Sequence, residues 1–183
     1  MPDDGHVRLT AADGAVAELE IPWPPLSLPV IKHFVPLLAA HAAAPRTAAL
    51  VLVRRGGYGA GVARAGQLLT HAVGTRYVQG RTAAGGWSQQ RFARRRSGQA
   101  AALAGSATDA VLKVLAASSA RLDVLVVGGD RGLVDEVLSD PRLSSLARLP
   151  RSPLLAVRDP RLVVLREVAE RCRAVRVRLT EPR

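Results

Sequence analysis

The sequence predicts an α/β fold in which an antiparallel three-strand meander begins a mixed sheet and alternating helices and strands complete it. Three strand-like runs, at 48–53, 58–64 and 67–79, are separated by turns that contain glycine, which is the pattern of a meander. A helical pattern starts near Ser88 and continues to Ala117, either as one helix or with a second helix after Gly105-Ser106. A buried-strand run at 122–127 then indicates the alternation. Because 48% of the 183 residues are apolar, the chain can bury a core of this kind.

Residues 1–45 are predicted to form a hairpin and helix extension packed on the core, and residues 46–183 to form the principal domain. Strand-like runs at 7–10 and 15–21 indicate the hairpin, and apolar spacing at 29–44 indicates a short helix. The elements predicted after the buried strand are a helix at 133–138, a strand or loop at 154–157, a helix at 160–173 and a strand at 174–180.

The net charge of +11 is concentrated in one part of the chain. Between Ile21 and Thr108 there is no Asp or Glu, and eleven Lys and Arg residues lie there, whereas acids and bases balance in the rest. Because a generally basic protein would spread its charge, this block favours a surface that faces a polyanion, with nucleic acid as the first candidate. The alternative is a solvated basic face without a partner.

The sequence does not favour a disulfide-linked, metal-binding, secreted or membrane protein. The single cysteine, Cys172, excludes an internal disulfide, and no Cys/His spacing predicts a metal site, so no metal or other cofactor is expected. The acidic N-terminus does not resemble a signal peptide, and no apolar run approaches the roughly 20 residues of a membrane-spanning helix. We therefore predict a cytoplasmic location and no membrane partner.

Two glycine motifs are predicted to be structural turns rather than phosphate-binding loops. The motif at 56–61 has strand patterns on both sides, whereas a phosphate-binding loop leads from a strand into a helix. The motif at 128–130 does precede a helix, but it lacks the third glycine and the lysine of such loops. A two-metal nuclease is nearly excluded as well, because the meander strands contain none of the carboxylates that its metal ions need.

The segment 82–99 carries the features that best fit contact with RNA. Two glycines precede a tryptophan, and an arginine cluster follows it: Gly85, Gly86, Trp87, Arg91, Arg94, Arg95 and Arg96. On a helix that starts near Ser88, positions 91, 94 and 95 share a face. Cations at a helix N-terminus oppose the helix dipole, so this arrangement is unfavourable in the isolated protein and favourable against RNA phosphates.

Two glutamines, Gln89 and Gln90, lie at the predicted start of this helix. An amide side chain does not titrate and cannot be a general base, but it can orient a water molecule while neighbouring backbone amides stabilise an oxyanion. Glycines beside it let the backbone approach a crowded substrate. Such a site suits a substrate that brings its own reactive ester. The alternative is an ordinary polar helix start.

Two motifs in this region resemble a known family. Tyr77-Val78-Gln79-Gly80-Arg81 and Gly85-Gly86-Trp87-Ser88-Gln89-Gln90-Arg91-Phe92-Ala93-Arg94-Arg95-Arg96 resemble the actinobacterial branch of the Vms-like release factors, most strongly over residues 46–130. These are peptidyl-tRNA hydrolases related to the catalytic middle domain of eukaryotic and archaeal class-one release factors. The resemblance implies a ribonuclease-H-like fold, with which the predicted strand order agrees, and makes residues 46–183 the catalytic domain.

The resemblance also implies a peptidyl-tRNA hydrolase that releases nascent peptides from stalled ribosomes. Release factors carry Gly-Gly-Gln, and here Trp87 and Ser88 separate the glycines from Gln89. Because Ser88-Gln89 best matches the family's ending of a small residue and glutamine, Gln89 is expected to position the water, with Gln90 as runner-up. Gly85 and Gly86 would allow close approach to the ester.

The implied partners are the large ribosomal subunit with its ribosomal RNA and the 3′ end of peptidyl-tRNA, and no DNA is expected. The residues expected to bind RNA are Arg81, Trp87, Arg91, Arg94, Arg95 and Arg96. With no candidate decoding domain, the protein is expected to act without reading a stop codon. Two alternatives remain: a non-catalytic module that binds ribosomal RNA or tRNA, and a hydrolase of free peptidyl-tRNA.

Overall fold

A computed structural model describes residues 5–23, 34–75 and 88–182, without the side chains of positions 34, 88–93, 95 and 96. In chain order the described elements are β1 (His6–Thr10), β2 (Val16–Glu20), α1 (Phe34–Ala43), β3 (Thr47–Arg54), β4 (Gly57–Arg64), β5 (Gln67–Thr75), α2 (Ser88–Ala116), β6 (Val124–Gly129), α3 (Arg131–Leu138), a 3-10 turn (Pro141–Leu143), α4 (Ser144–Ala147), α5 (Leu162–Arg171) and β7 (Arg176–Thr180). The predicted hairpin, meander and alternating elements are present in the described residues, and the short helices at 141–147 are additional. The predicted helix start at 29–33 and strand end at 76–79 lie outside the described residues.

Four strands form the mixed sheet, in the order β5-β4-β3-β6. β4 pairs antiparallel with both β3 and β5, whereas β3 and β6 are parallel. Tight turns force the first three strands to be antiparallel, and the long connection through α2 allows the parallel return of β6. The predicted α/β fold, with a meander that begins a mixed sheet, is therefore confirmed, and the glycine motif at 56–61 belongs to the β3–β4 hairpin.

Helices cover both faces of the mixed sheet. β3 is buried along nearly its whole length, as its run of apolar residues predicts. Val51 and Val53 pack in a cluster with α2 and α3, and Leu50 and Leu52 pack in a second cluster with α5. Because successive strand residues point to opposite faces, this one strand anchors both helical layers.

α2 is a single helix that runs from Ser88 through Gly98 and Gly105 to Ala116. The sequence pattern left open whether a second helix begins after Gly105. Leu103 and Val111, on either side of Gly105, are both buried against the sheet. We infer that this packing offsets the low helix propensity of glycine, which costs about 1 kcal/mol relative to alanine.

A second sheet combines strands from the two ends of the chain, in the order β1-β2-β7. β1 and β2 form the predicted hairpin, and β7 pairs with β2 instead of extending the mixed sheet. Arg176 and Arg178 of β7 lie opposite Glu20 and Glu18, with nitrogen–oxygen distances of 2.7 and 3.3 Å. The boundary predicted at residue 45 stays a prediction, but the last strand clearly joins the N-terminal hairpin.

Gly129 lets β6 end directly against the carboxyl end of β3. Its φ is +103°, a conformation that residues with side chains rarely adopt, and a Cβ there would collide with the carbonyl oxygen of Val53. We expect Gly129→Ala to lower the free energy of unfolding by about 1–3 kcal/mol, as measured by urea denaturation.

Gly132→Ala is the matched control for this prediction. Gly132 lies in α3, and a Cβ there would meet only the Asp130 carboxylate, at 3.6 Å. This variant should be neutral or slightly stabilising, because alanine has the higher helix propensity. Equal losses of stability in the two variants would contradict the strain assigned to Gly129.

Candidate functional site

The predicted site residues divide between the described and the undescribed parts of the chain. Arg81, Gly85, Gly86 and Trp87 lie outside the described residues, so their roles stay predictions. The others lie in the first turns of α2: Ser88, Gln89, Gln90, Arg91, Arg94, Arg95 and Arg96. Among these, the described side chain is that of Arg94, which is exposed.

We call the first part of α2, residues 88–98, the arm. Ser97 and Gly98 are exposed, Ala100 is the first described residue to pack against the core, and Leu103 is the first to be fully buried. At 1.5 Å per residue, the backbone of Gln89 lies about 21 Å along the helix axis from Leu103. The backbone of Gln89 thus lies at the start of a helix whose first fully buried residue is about four turns away.

The direction of α2 follows from contacts in its last turn and beyond its end. The Thr70 hydroxyl of β5 donates a hydrogen bond to the carbonyl oxygen of Val114, at 3.2 Å. After α2 the chain returns to the amino end of β3, where the Asp123 backbone N–H donates to the Thr47 carbonyl oxygen, at 2.9 Å. The arm therefore points toward the opposite end of the sheet, at which β3 and β6 terminate.

β5 also terminates at this end of the sheet, because Thr75 lies opposite Gly57 in the strand pairing. Residues 76–87 join Thr75 to Ser88. Thr75, the last described residue before the predicted Gly85-Gly86-Trp87 motif, therefore lies at the end of the sheet toward which the arm points.

Five exposed arginines at this end of the sheet form what we call the basic rim: Arg54, Arg55, Arg131, Arg158 and Arg161. An Nη of Arg54 donates to the Val157 carbonyl oxygen at 2.9 Å, which holds the guanidinium end of this side chain against the segment that precedes α5. Three acids lie among the arginines: Asp130, Asp159 and Glu167, at 3.8 Å from Arg55, beside Gly56 and at 2.7 Å from Arg158, respectively. The basic rim thus keeps an excess of positive charge.

The sequence pattern did not identify the basic rim as part of the site. Arg54 and Arg55 belong to the block between Ile21 and Thr108 that contains no Asp or Glu, which we call the acid-free block. In the sequence, the available signal was their position at a strand end before two glycines. Arg131, Arg158 and Arg161 come from outside the block. Arg131 follows β6, which is parallel to β3, and Arg158 and Arg161 follow the segment at 151–155, which is bridged in parallel to β6. All three therefore lie at the carboxyl end of β3.

The acid-free block itself does not form one surface in the described structure. Arg46 and Arg64 flank the opposite end of the sheet, and the length of β3 separates that end from Arg54 by about 23 Å. An Nη of Arg46 also donates to the carbonyl oxygen of His41 in α1, at 2.7 Å. The charge that accompanies the arm therefore comes from only part of the block, together with the later arginines of the basic rim.

Other reactive groups in the described structure are poorer candidates for a reacting site than the glutamines of the arm. Burial raises the pKa of the Cys172 thiol to about 11, so the thiol is neutral near pH 7 and is a poor nucleophile. Within the described ranges, no three His, Cys, Asp or Glu side chains lie close enough to hold a metal ion. No helix in the described part of the chain is long and apolar enough to cross a membrane. Gln89 and Gln90 stay the candidates for the reacting site.

Comparison with known proteins gives one family. The family model described as Actinobacteria/chloroflexi VLRF1 release factor matches residues 46–178. That range contains the mixed sheet, the arm and the basic rim. No curated protein sequence matches the chain significantly. Because the family match covers well over half of the chain, the resemblance seen in the sequence is confirmed, and the chain belongs to the Actinobacteria/chloroflexi VLRF1 release factor family.

Proposed function

We propose that the protein is a peptidyl-tRNA hydrolase that releases nascent peptides from stalled ribosomes. Membership of a release factor family indicates a ribosome-associated role in translation. The observation that supports the hydrolase most directly is the arm, which carries the Gln89 backbone about 21 Å beyond the first fully buried residue of α2. A glutamine at the tip of a narrow helix can enter a site walled by RNA that excludes the bulk of the domain.

The proposed chemistry is attack of water on the ester that joins the peptide to the 3′ adenosine of tRNA. Gln89 positions the water, and the backbone of Gly85 and Gly86 approaches the ester closely. Glutamine does not titrate, so the terminal ribose hydroxyl of the tRNA is proposed to assist the proton transfer. The bond between the acyl carbon and the ribose oxygen breaks, and the products are the free peptide acid and a deacylated tRNA.

The arginines of the arm and of the segment before it are proposed to hold phosphates of tRNA or ribosomal RNA. Arg81, Arg91, Arg94, Arg95 and Arg96 are the predicted contacts, with Trp87 as a base-stacking residue. Cations in the first turns of a helix are destabilising on their own, and bound phosphates would remove that cost. The basic rim lies at the same end of the sheet and supports this orientation toward RNA.

The salt dependence of ribosome binding tests this set of contacts. If about five phosphates are neutralised, affinity should fall about 500-fold between 50 and 200 mM salt. Arg94→Gln should reduce the slope of log affinity against log salt by about 0.9, because one phosphate contact is lost. Lys113→Gln is the control, since Lys113 is exposed on the same helix but lies toward its other end. A slope near zero, or equal effects of the two variants, would contradict the proposed phosphate contacts.

Single-turnover peptide release from stalled ribosome–nascent-chain complexes tests the reaction itself. Release by the wild-type protein, with slower turnover on free peptidyl-tRNA, supports the proposal. Faster turnover on free peptidyl-tRNA would indicate instead that the protein is a hydrolase that acts away from the ribosome. Salt-sensitive ribosome binding without any release would identify a non-catalytic binding module instead.

A further inference from the structure

A groove outside the proposed release site lies between α5 and the segment that precedes it. Residues 153–158 form one wall, and Glu167, Arg171 and Arg176 contribute to the others. The groove volume of about 610 Å³ lies within the range of roughly 300–1,000 Å³ that is usual for ligand-binding clefts.

The wall at 153–158 continues the mixed sheet beyond β6. Isolated parallel bridges join residues 151 and 155 to β6, in the part of the chain for which the sequence predicts either a strand or a loop. The Leu155 N–H donates to the Val127 carbonyl oxygen at 2.9 Å, and the Leu155 carbonyl oxygen accepts from the Gly129 N–H at 3.0 Å. This segment therefore has the hydrogen bonds of a strand on the side that faces β6.

The other side of the same segment pairs with no strand in the described part of the chain. Because backbone groups alternate in direction along a strand, the N–H and carbonyl groups of Leu154 and Ala156 point away from β6. Neither residue has a hydrogen-bond partner within the described ranges. An open strand edge is a template for the addition of another strand, and several peptide-binding domains use such an edge.

Among the described side chains around the groove, one positive charge has no opposite charge beside it. Arg158 pairs with Glu167 across the groove at 2.7 Å, and Arg176 pairs with Glu20 at 2.7 Å. Arg171 is exposed, lines the groove and has no ion-pair partner among the residues that the structure describes. A guanidinium in this position favours a carboxylate on the bound molecule.

A smaller cavity adjoins the groove and is partly apolar. Its volume is about 70 Å³, and it shares Leu155 and Arg171 with the groove while reaching Ile21 and Trp23. In strand addition, the backbone provides affinity and pockets for alternate side chains provide specificity. This cavity is suited to a small apolar side chain next to the carboxylate that Arg171 would bind.

We propose that the groove binds an extended peptide segment of a partner protein, which adds as a strand to the backbone of residues 154–156. The peptide places an Asp or Glu side chain at Arg171 and a small apolar side chain in the cavity beside Trp23. The proposal is independent of the chemistry at Gln89, since the groove is built from β2, β7, α5 and the segment before α5. It assigns this face of the protein to recruitment or assembly.

The test uses the full-length chain and a phage library of random decapeptides as the probe. We expect enriched peptides to share an acidic residue flanked by apolar residues at alternating positions. The enriched peptides are then synthesised, and their affinities are measured by fluorescence anisotropy. Arg171→Glu should weaken binding about tenfold, and replacement of the acidic residue by lysine in the peptide should restore it.

Arg166→Glu is the matched control, because Arg166 is exposed on the same helix but does not line the groove. This variant should bind the peptides as the wild type does, which separates the local contact from the general loss of positive charge. Equal weakening by the two charge reversals, or no enrichment of peptides at all, would overturn the proposal.

A backbone measurement separates strand addition from other modes of binding. On addition of an enriched peptide, the amides of Leu154 and Ala156 should become protected from hydrogen exchange, and N-methylation of alternate peptide residues should abolish that protection. Binding without protection of these two amides would overturn the proposal. So would a concentration-dependent dimer that Arg171→Glu dissociates, with no peptide enriched, because the edge would then pair with a second copy of the chain.

Discussion

Gln89→Ala should lower the rate of peptide release from stalled ribosome–nascent-chain complexes by at least about 100-fold. Removal of one preorganised polar group that acts on the transition state typically costs two to three orders of magnitude in rate. The variant should bind ribosomes with nearly unchanged affinity, because Gln89 carries no charge and the phosphate contacts are assigned to arginines. Single-turnover release and co-sedimentation with ribosomes measure the two properties separately.

Gln90→Ala is the control for this result, since it removes the same functional group one position later in α2. The two positions point in different directions on a helix, about 100° apart. If release persists in Gln90→Ala and is lost in Gln89→Ala, the result supports Gln89 as the residue that positions the water. The reverse pattern would indicate that Gln90 positions it. If both variants release peptide normally, neither glutamine positions the water and the proposed mechanism is wrong.

Gly98→Pro should also lower peptide release by about 100-fold or more, without any change in the chemical groups of the site. A proline inside a helix removes one backbone hydrogen bond and clashes with the preceding turn, so the helix kinks or breaks. Since Gly98 lies about 15 Å from the start of α2, a kink of roughly 20° moves that start by about 5 Å. Misplacement of a reacting group by 1 Å can already cost about 100-fold in rate.

The core should survive this substitution, because Gly98 is exposed and the first fully buried residue of α2 is Leu103. Thermal unfolding should therefore remain cooperative, and amides near Val111 should keep their protection from hydrogen exchange. Gly98→Ala is the matched control: a Cβ at this position meets no heavy atom within 4 Å, and alanine stabilises the helix. Wild-type release by Gly98→Pro would show that the arm does not position the site.

The elements of the fold were predictable because each depends on local residue patterns. The apolar run predicts β3, the glycines at 56–57 predict the turn into β4, and the helical pattern that starts near Ser88 predicts α2. None of these predictions needs a distant partner. The continuous helix across Gly105 was not predictable, since local propensity opposes it and burial against the sheet decides it. The partner of β7 was equally undetermined, because cross-strand pairs with Glu18 and Glu20 exist only in the folded chain.

The candidate site was predictable only where it depends on a local sequence motif. Gly85, Gly86, Trp87, Gln89 and Gln90 form a local motif, so their resemblance to a release factor family was recognisable, while their roles stay proposals. The distance from the glutamines to the first fully buried residue of α2 was not recognisable, because burial depends on where the sheet lies against the helix.

By itself, the sequence determined the element types, the glutamine motif and an excess of positive charge within one block. Only the tertiary structure decided how that charge is distributed. It places Arg46 and Arg64 at the far end of the sheet and brings Arg131 and Arg158 to the end toward which the arm points. The physical reason is that a strand of eight residues separates chain neighbours by more than 20 Å, whereas parallel pairing joins the carboxyl ends of strands that are distant in sequence.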